Sequence, residues 1–387
     1  MIIGIPKEIL KNEKRVAAVP KTVSGYVKLG FKVLVEASAG EGVFESDNAY
    51  LQSGAEIVTD VFDLYRRADI ILKVKEPCLN NKVGIHELDM LKEGSTLITF
   101  LHPAAPSNHD MVRKLRDKQI TAFTMDGIPR TPRAQRMDAL TSMSTITGYK
   151  SVLIAANFIP IFVPMIGTSI GMVKPANFLV IGTGVVGLQA IATARRLGGV
   201  IKAVDIRQAA REEAATLGAK IAGFDVPEKI ALGEGGYAGS LSDEWLNKER
   251  EALQPLLGEA HVIILCALVP GEVAPILITE SMFESIKPGT AIIDVSIDQG
   301  GNFALTEPGN EIVKNNVYIC GIRNIPGSVP VHSTWLYANN MYYYVENLFK
   351  KGLKNIDFED DIVRHSLVTR QGKIFHTGTL KSMRGSL

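Results

Sequence analysis

Three glycines and one acid carry the clearest chemistry in this sequence. Gly182-Thr183-Gly184-Val185-Val186-Gly187 follows the apolar run Phe178-Leu179-Val180-Ile181 and precedes a helical stretch over 188–197, so the spacing predicts strand, turn and helix in succession. In such a turn Gly182 permits the tight bend, Gly184 lets a pyrophosphate approach the backbone, and Gly187 lets the helix pack on its strand. The helix N-terminus then faces the phosphates. The next apolar run ends in Ala203-Val204-Asp205, where an acid about twenty residues on accepts the adenosine ribose hydroxyls. The expected dinucleotide contacts are therefore Gly182, Gly184, Val185, Gly187, Asp205, Ile206 and Arg207. A carboxylate at Asp205 opposes an added 2′-phosphate, which favours NAD(H) over NADP(H); Arg207 is expected to stack near the adenine or pair locally.

A second group of polar residues precedes this turn. Gln135, Asp138 and Thr141 fall at i, i+3 and i+6, on one face of a helix predicted to start at Thr131-Pro132, and Arg130 approaches from the preceding loop. By residue type alone the preferred reading is a polar helix face with ordinary salt bridges. A third feature, Gly233-Glu234-Gly235-Gly236-Tyr237-Ala238-Gly239, reads as a flexible, exposed loop between strands.

The elements that must position these residues form two alternating series. Short β-branched runs at 1–5, 31–36, 68–74, 96–101 and 120–125 alternate with helical stretches and predict a parallel α/β domain. A second series, at 177–181, 200–205, 220–224, 261–265, 291–294 and 316–320, predicts a second doubly wound sheet. After Pro330 an apolar helical pattern leads back toward the first domain. The expected architecture is α/β, with two Rossmann-like doubly wound parallel-sheet domains joined by long helices. One domain comprises 1–130 completed by 331–387; the other comprises 131–330 and includes the linking helix.

Composition bounds the function classes. In a chain of 387 residues, 42 basic against 41 acidic residues with no clustered basic run argue against nucleic-acid binding. Three widely spaced cysteines suggest reduced packing residues and no metal site. The N-terminal run lacks the pattern of a signal peptide, which leads to an expected cytoplasmic location. Residues 151–173 carry no charge and are long enough to span a bilayer, but Pro160, Pro164, Gly167 and Gly171 interrupt them. A helix ending near Phe158, followed by a packed connector, is expected instead.

Taken together, Gly4-Ile-Pro-Lys-Glu8, Arg15-Val-Ala, Lys73-Val-Lys75-Glu-Pro77, Phe100-Leu-His102, the glycine turn and Leu268-Val-Pro-Gly271 resemble the family shared by alanine dehydrogenase and the NAD(H)-binding domain of proton-translocating nicotinamide nucleotide transhydrogenase. The resemblance covers essentially the whole chain. Three segments look like the transhydrogenase branch: Pro129 to Asp138 with its continuation to Tyr149, the loop around Tyr237, and the tail from Ser366 to His376. The resemblance implies that Arg130, Gln135, Asp138 and Thr141 surround the nicotinamide, with Thr141 standing where a serine is usual. It also implies that Gly236 and Tyr237 belong to a mobile loop that folds over bound nucleotide.

Against these, Arg15, Lys75, His102 and Asp298 look like the alanine dehydrogenase substrate site. There the two cations would hold a 2-oxo acid while His102 and Asp298 moved protons. The favoured expectation is an NAD(H)-binding alpha subunit that passes hydride to NADP(H) on a partner subunit. A membrane-spanning subunit would couple the transfer to proton translocation. The chain would then form a homodimer, peripheral on the inner face of the cell membrane. L-alanine dehydrogenase and a non-enzymatic NAD(H)-sensing protein remain the alternatives.

Overall fold

Runs such as Ile2–Ile5 and Ile70–Leu72 are apolar on successive residues, the pattern of parallel strands covered by helices on both faces. In the computed structural model, which describes residues 1–233, 238–269, 273–353 and 355–385, they lie in an eight-stranded sheet. Its order is Lys373–Ile374, Leu367–Arg370, Thr121–Thr124, Thr96–Thr99, Ile70–Leu72, Ile2–Ile5, Lys32–Glu36 and Glu56–Val58. The six strands from the early chain pair in parallel, and the two late strands add an antiparallel edge. Helix Pro330–Leu348 buries Tyr337, Met341, Tyr344 and Val345 in the core of this unit. That i, i+4, i+7, i+8 stripe is why it docks there.

This sheet belongs to the first of two units, Met1–Met143 with Pro326–Leu387; Ser144–Ile325 is the second. The second unit holds a seven-stranded sheet ordered Lys220–Ile221, Val200–Val204, Asn177–Ile181, Val262–Leu265, Ala291–Asp294, Val317–Cys320 and Glu311–Lys314. All neighbours are parallel except the last pair. Phe178 and Val180 enter one core and Leu179 and Ile181 the other, so the central strand is buried on both faces. The strand order runs outward in both directions from Asn177–Ile181, which opens a crevice at its carboxyl end.

Two expectations are corrected. The linking helix starts at Ala139, not at Thr131: Pro132–Met137 form a 3₁₀ segment, and Thr131 makes no side-chain cap. Asp138 interrupts the run with ψ of 87° and caps the helix itself, accepting from the Thr141 amide at 2.8 Å. Gln135 and Thr141 therefore do not share one continuous helix face. The helix does end at Phe158, but the connector after it is not packed. Ile166–Thr168 and Gly171–Val173 pair as an antiparallel hairpin that leaves Ile170 97% and Met172 68% exposed. Among the described residues no helix is long and apolar enough to cross a membrane.

Candidate functional site

The fingerprint turn meets three different steric demands. Gly182 adopts a φ of +90°, and a Cβ there would lie 2.7 Å from the Cys266 carbonyl oxygen. At Gly187 a Cβ would fall 2.0 Å from the Gly182 carbonyl oxygen, so the helix Val185–Arg196 approaches its strand as closely as a backbone allows. Gly184 differs from both. Nothing lies within 4 Å of the Cβ it lacks, and its φ is an ordinary −73°. Neither packing nor backbone strain requires glycine at 184, whereas a pyrophosphate seated on the open N-terminus of this helix would.

Asp205 terminates its strand beside that opening and is 8% exposed. Its Oδ2 accepts from the Thr183 amide at 2.7 Å, which ties this strand-end acid to the glycine turn. Arg207 closes back on the same carboxylate, with Nε at 3.0 Å from Oδ1 and Nη2 at 2.9 Å from Oδ2, and its amide also donates to Oδ1. The local-pairing expectation for Arg207 is thus what the structure contains. The Thr183 hydroxyl shares its one proton between Oδ2 at 3.2 Å and the Ala210 carbonyl at 3.0 Å; with the other four donors in place, a ribose hydroxyl would reach this carboxylate only by displacing some of them.

Opposite Asp205, the chain leaving Val262–Leu265 is held by a residue that sequence reasoning missed. Asn302 is fully buried, takes the Ala267 amide on Oδ1 at 3.0 Å, and donates Nδ2 to the Ala267 and Pro275 carbonyls at 2.9 Å each. Asp294 anchors it by accepting from the Asn302 amide at 2.9 Å. The only signal in the sequence was an Asn beside two glycines, Gly300 and Gly301, both at positive φ.

In the first unit Asp138 and Thr141 are joined. Besides the cap, the Thr141 hydroxyl donates to Asp138 Oδ2 at 2.7 Å. Gln135 is exposed on the 3₁₀ segment and Arg130 is exposed in the loop before it. Gly236 and Tyr237 of the expected mobile loop, like some of Leu268-Val-Pro-Gly271, lie outside the described residues.

The alternative set is divided between the units, with Arg15, Lys75 and His102 in the first and Asp298 in the second. Arg15 is 2% exposed and forks onto Glu13, with Nε to Oε1 at 2.8 Å and Nη2 to Oε2 at 2.5 Å. The Lys75 amide reaches Glu8 Oε1 at 3.4 Å, while its carbonyl accepts from Thr99. His102 sits in a left-handed conformation, φ +44°, stacked on Phe100, with Nδ1 at 3.4 Å from Asp126 Oδ2. Partial burial opposes the charged imidazole, but the Asp126 carboxylate outweighs it and raises the histidine pKa. Asp298 is exposed and faces the Arg323 Nε at 3.4 Å.

A doubly wound sheet with a glycine turn and a strand-end acid defines a dinucleotide-binding α/β protein with a second α/β unit attached. The chain belongs to the alanine dehydrogenase/PNT family, whose N-terminal domain model matches residues 4–147 and whose C-terminal domain model matches residues 151–377. It is 40% identical over 379 residues to an NAD(P) transhydrogenase alpha-subunit polypeptide of Rhodospirillum rubrum, covering 97% of this chain and 98% of that one. An alanine dehydrogenase of Methanococcus maripaludis is 30% identical over 390 residues, covering 99% and 96%. The solved transhydrogenase from Sinorhizobium meliloti superposes with a TM-score of 0.83 at 34% identity, over 97% of this chain and all of that one.

Proposed function

We propose that this chain is the NAD(H)-binding alpha subunit of a proton-translocating NAD(P) transhydrogenase. The observation that carries the reading is the end-to-end match to a transhydrogenase alpha-subunit polypeptide, at 40% identity against 30% for the alanine dehydrogenase. The chain binds NAD(H) and belongs to an oxidoreductase family. The nicotinamide supplies or takes the hydride, and the protein's work is to hold it in place. The open backbone at Gly184 and Val185 seats the pyrophosphate; Asp205, with Ile206 and Arg207 beside it, receives the ribose. Arg130, Gln135 and the joined pair Asp138 and Thr141 orient the carboxamide so that the donor carbon faces outward. Direct hydride transfer requires no acid or base from this chain.

The acceptor is NADP(H) on a partner subunit, and a membrane-spanning subunit couples the transfer to proton movement. Through these partners the chain is peripheral on the inner face of the cell membrane. Gly236 and Tyr237 close over the nucleotide as a lid. The exposed Ile170 and Met172 of the hairpin at 166–173 support a homodimer, because clustered exposed apolar side chains mark an interaction surface. The His102–Asp126 pair favours the second reading, L-alanine dehydrogenase, in which His102 would move a proton. One assay separates them. The purified chain is expected to yield no NADH from L-alanine plus NAD, yet to pass hydride from NADH once an NADP-binding partner is added. Steady alanine-dependent NADH production by the chain alone would reverse the assignment.

A further inference from the structure

Helix Asp243–Leu257 leads into the parallel strand Val262–Leu265, so it runs opposite to the strands and its first turns lie at their carboxyl ends, where the nucleotide crevice opens. Its buried stripe is Glu249, Leu253 and Leu257, spaced at i, i+4 and i+8. Leu253 and Leu257 pack with Leu179, Ile181 and Val204, from the fingerprint strand and the strand that ends in Asp205. One turn further toward the crevice, the same stripe presents a glutamate that is 5% exposed.

Glu249 stands one helical turn before Leu253, which packs in one cluster with Val204, the residue preceding Asp205. Burial, and secondly the Asp205 charge, push the Glu249 pKa up to about 7. Among the described residues it accepts no hydrogen bond. Arg250 pulls the other way but forms no ion pair with it, giving Nε and Nη2 to the Ile276 carbonyl at 3.0 and 2.7 Å, while Lys248 pairs with Glu244 and Arg207 with Asp205. The Cys266 thiol is held protonated by burial. A buried, unpartnered acid beside a second acid costs stability, and no packing role in the helix needs its charge.

We propose that Glu249 is a second specificity residue of the adenosine pocket, placing a carboxylate behind Asp205 to repel the 2′-phosphate of NADP(H). It rests on the reading of this crevice as an NAD(H) site. A chain that must hold NAD(H) while NADP(H) serves on another subunit gains from excluding the wrong nucleotide. Asp205 alone does so weakly, because Arg207 already neutralises it. A second carboxylate that forms no ion pair of its own adds to the repulsion.

The test is the ratio of NADPH to NADH dissociation constants for the wild-type chain and for Glu249→Gln, measured by calorimetry at pH 6 and pH 8.5. At pH 8.5, with Glu249 ionised, the substitution is expected to favour NADPH by about tenfold in that ratio. At pH 6, with the carboxyl protonated, variant and wild type should converge. Glu249→Met, an apolar replacement of similar length, should give the same ratio change if the amide is poorly tolerated. A ratio at pH 8.5 equal to wild type in either folded variant overturns the proposal while leaving NAD(H) binding intact. Failure of the wild-type chain to bind NADH would remove the nucleotide reading and this inference with it.

Discussion

Lys73 is 1% exposed and lies between two carboxylates, with Nζ at 2.7 Å from Glu87 and 3.3 Å from Glu8. Glu87 also accepts from the Tyr65 hydroxyl and the Cys78 amide, and Glu8 from the Val74 amide, so the three charges pin the 73–78 loop to the start of the chain. Burial lifts the Glu8 pKa from its ordinary 4.5 to about 6, against the pull of Lys73. The native state therefore keeps a proton that the unfolded chain releases. Stability is fully present below pH 4.5 and falls by about 2 kcal/mol as pH rises through 6. Lys73→Met removes the only cation of the group and leaves two buried acids. We expect a loss of about 3–5 kcal/mol at pH 8 that shrinks at pH 5, below the raised Glu8 pKa, where Glu8 is protonated. Urea unfolding at the two pH values checks this; an equal loss at both would mean the lysine acts through packing alone.

At the scale of elements, helix Ala139–Phe158 and the fingerprint helix Val185–Arg196 meet where Gly148 faces Val186. A Cβ on Gly148 would fall 2.2 Å from the Val186 carbonyl oxygen and 2.9 Å from the Gln189 Cβ. The closeness of the two helices is thus set by one missing methyl group. Gly148→Ala should destabilise by about 1–3 kcal/mol and weaken NADH binding by displacing the fingerprint helix. Gly184→Ala makes the opposite pairing: with open space around it, stability should change by under about 0.5 kcal/mol while NADH affinity falls by more than tenfold. Thermal midpoints and NADH titrations of the two variants read both quantities. A Gly184→Ala chain that binds NADH normally would move the pyrophosphate away from this turn.

At the scale of the whole molecule, the uncharged stretch at 151–173 takes its meaning from what it leaves outside. Its hairpin pairs its own backbone but offers Ile170, Met172 and Met165, the last 57% exposed, to the surroundings. If this surface is the homodimer contact, Ile170→Asp with Met172→Asp should convert a dimer to a monomer in sedimentation velocity without lowering the unfolding midpoint. A double variant that sediments as wild type would place the dimer contact elsewhere.

What the sequence by itself determined was local in origin. Apolar runs between turn signals specified five strands of the first sheet and six of the second, because a parallel strand buried on two faces has few other solutions, while the remaining strands Glu56–Val58, Leu367–Arg370, Lys373–Ile374 and Glu311–Lys314 carried no such run. The conformational demands of Gly182 and Gly187 were legible for the same reason: a strand, a turn and a helix in immediate succession leave room only for glycine there. The structure decided what those signals left open. Asp138 rather than Thr131 begins the linking helix, because a carboxylate satisfying the helix amides outweighed the proline signal seven residues upstream of the first helical position. The connector became an exposed hairpin because, with its backbone bonds closed within the pair, no strand of the sheet had to receive it. Asn302 beneath Ala267 and the buried Glu249 of helix Asp243–Leu257 follow no spacing rule. Their positions follow from the strand order of the second sheet, which brings residues scattered from 205 to 302 to one edge.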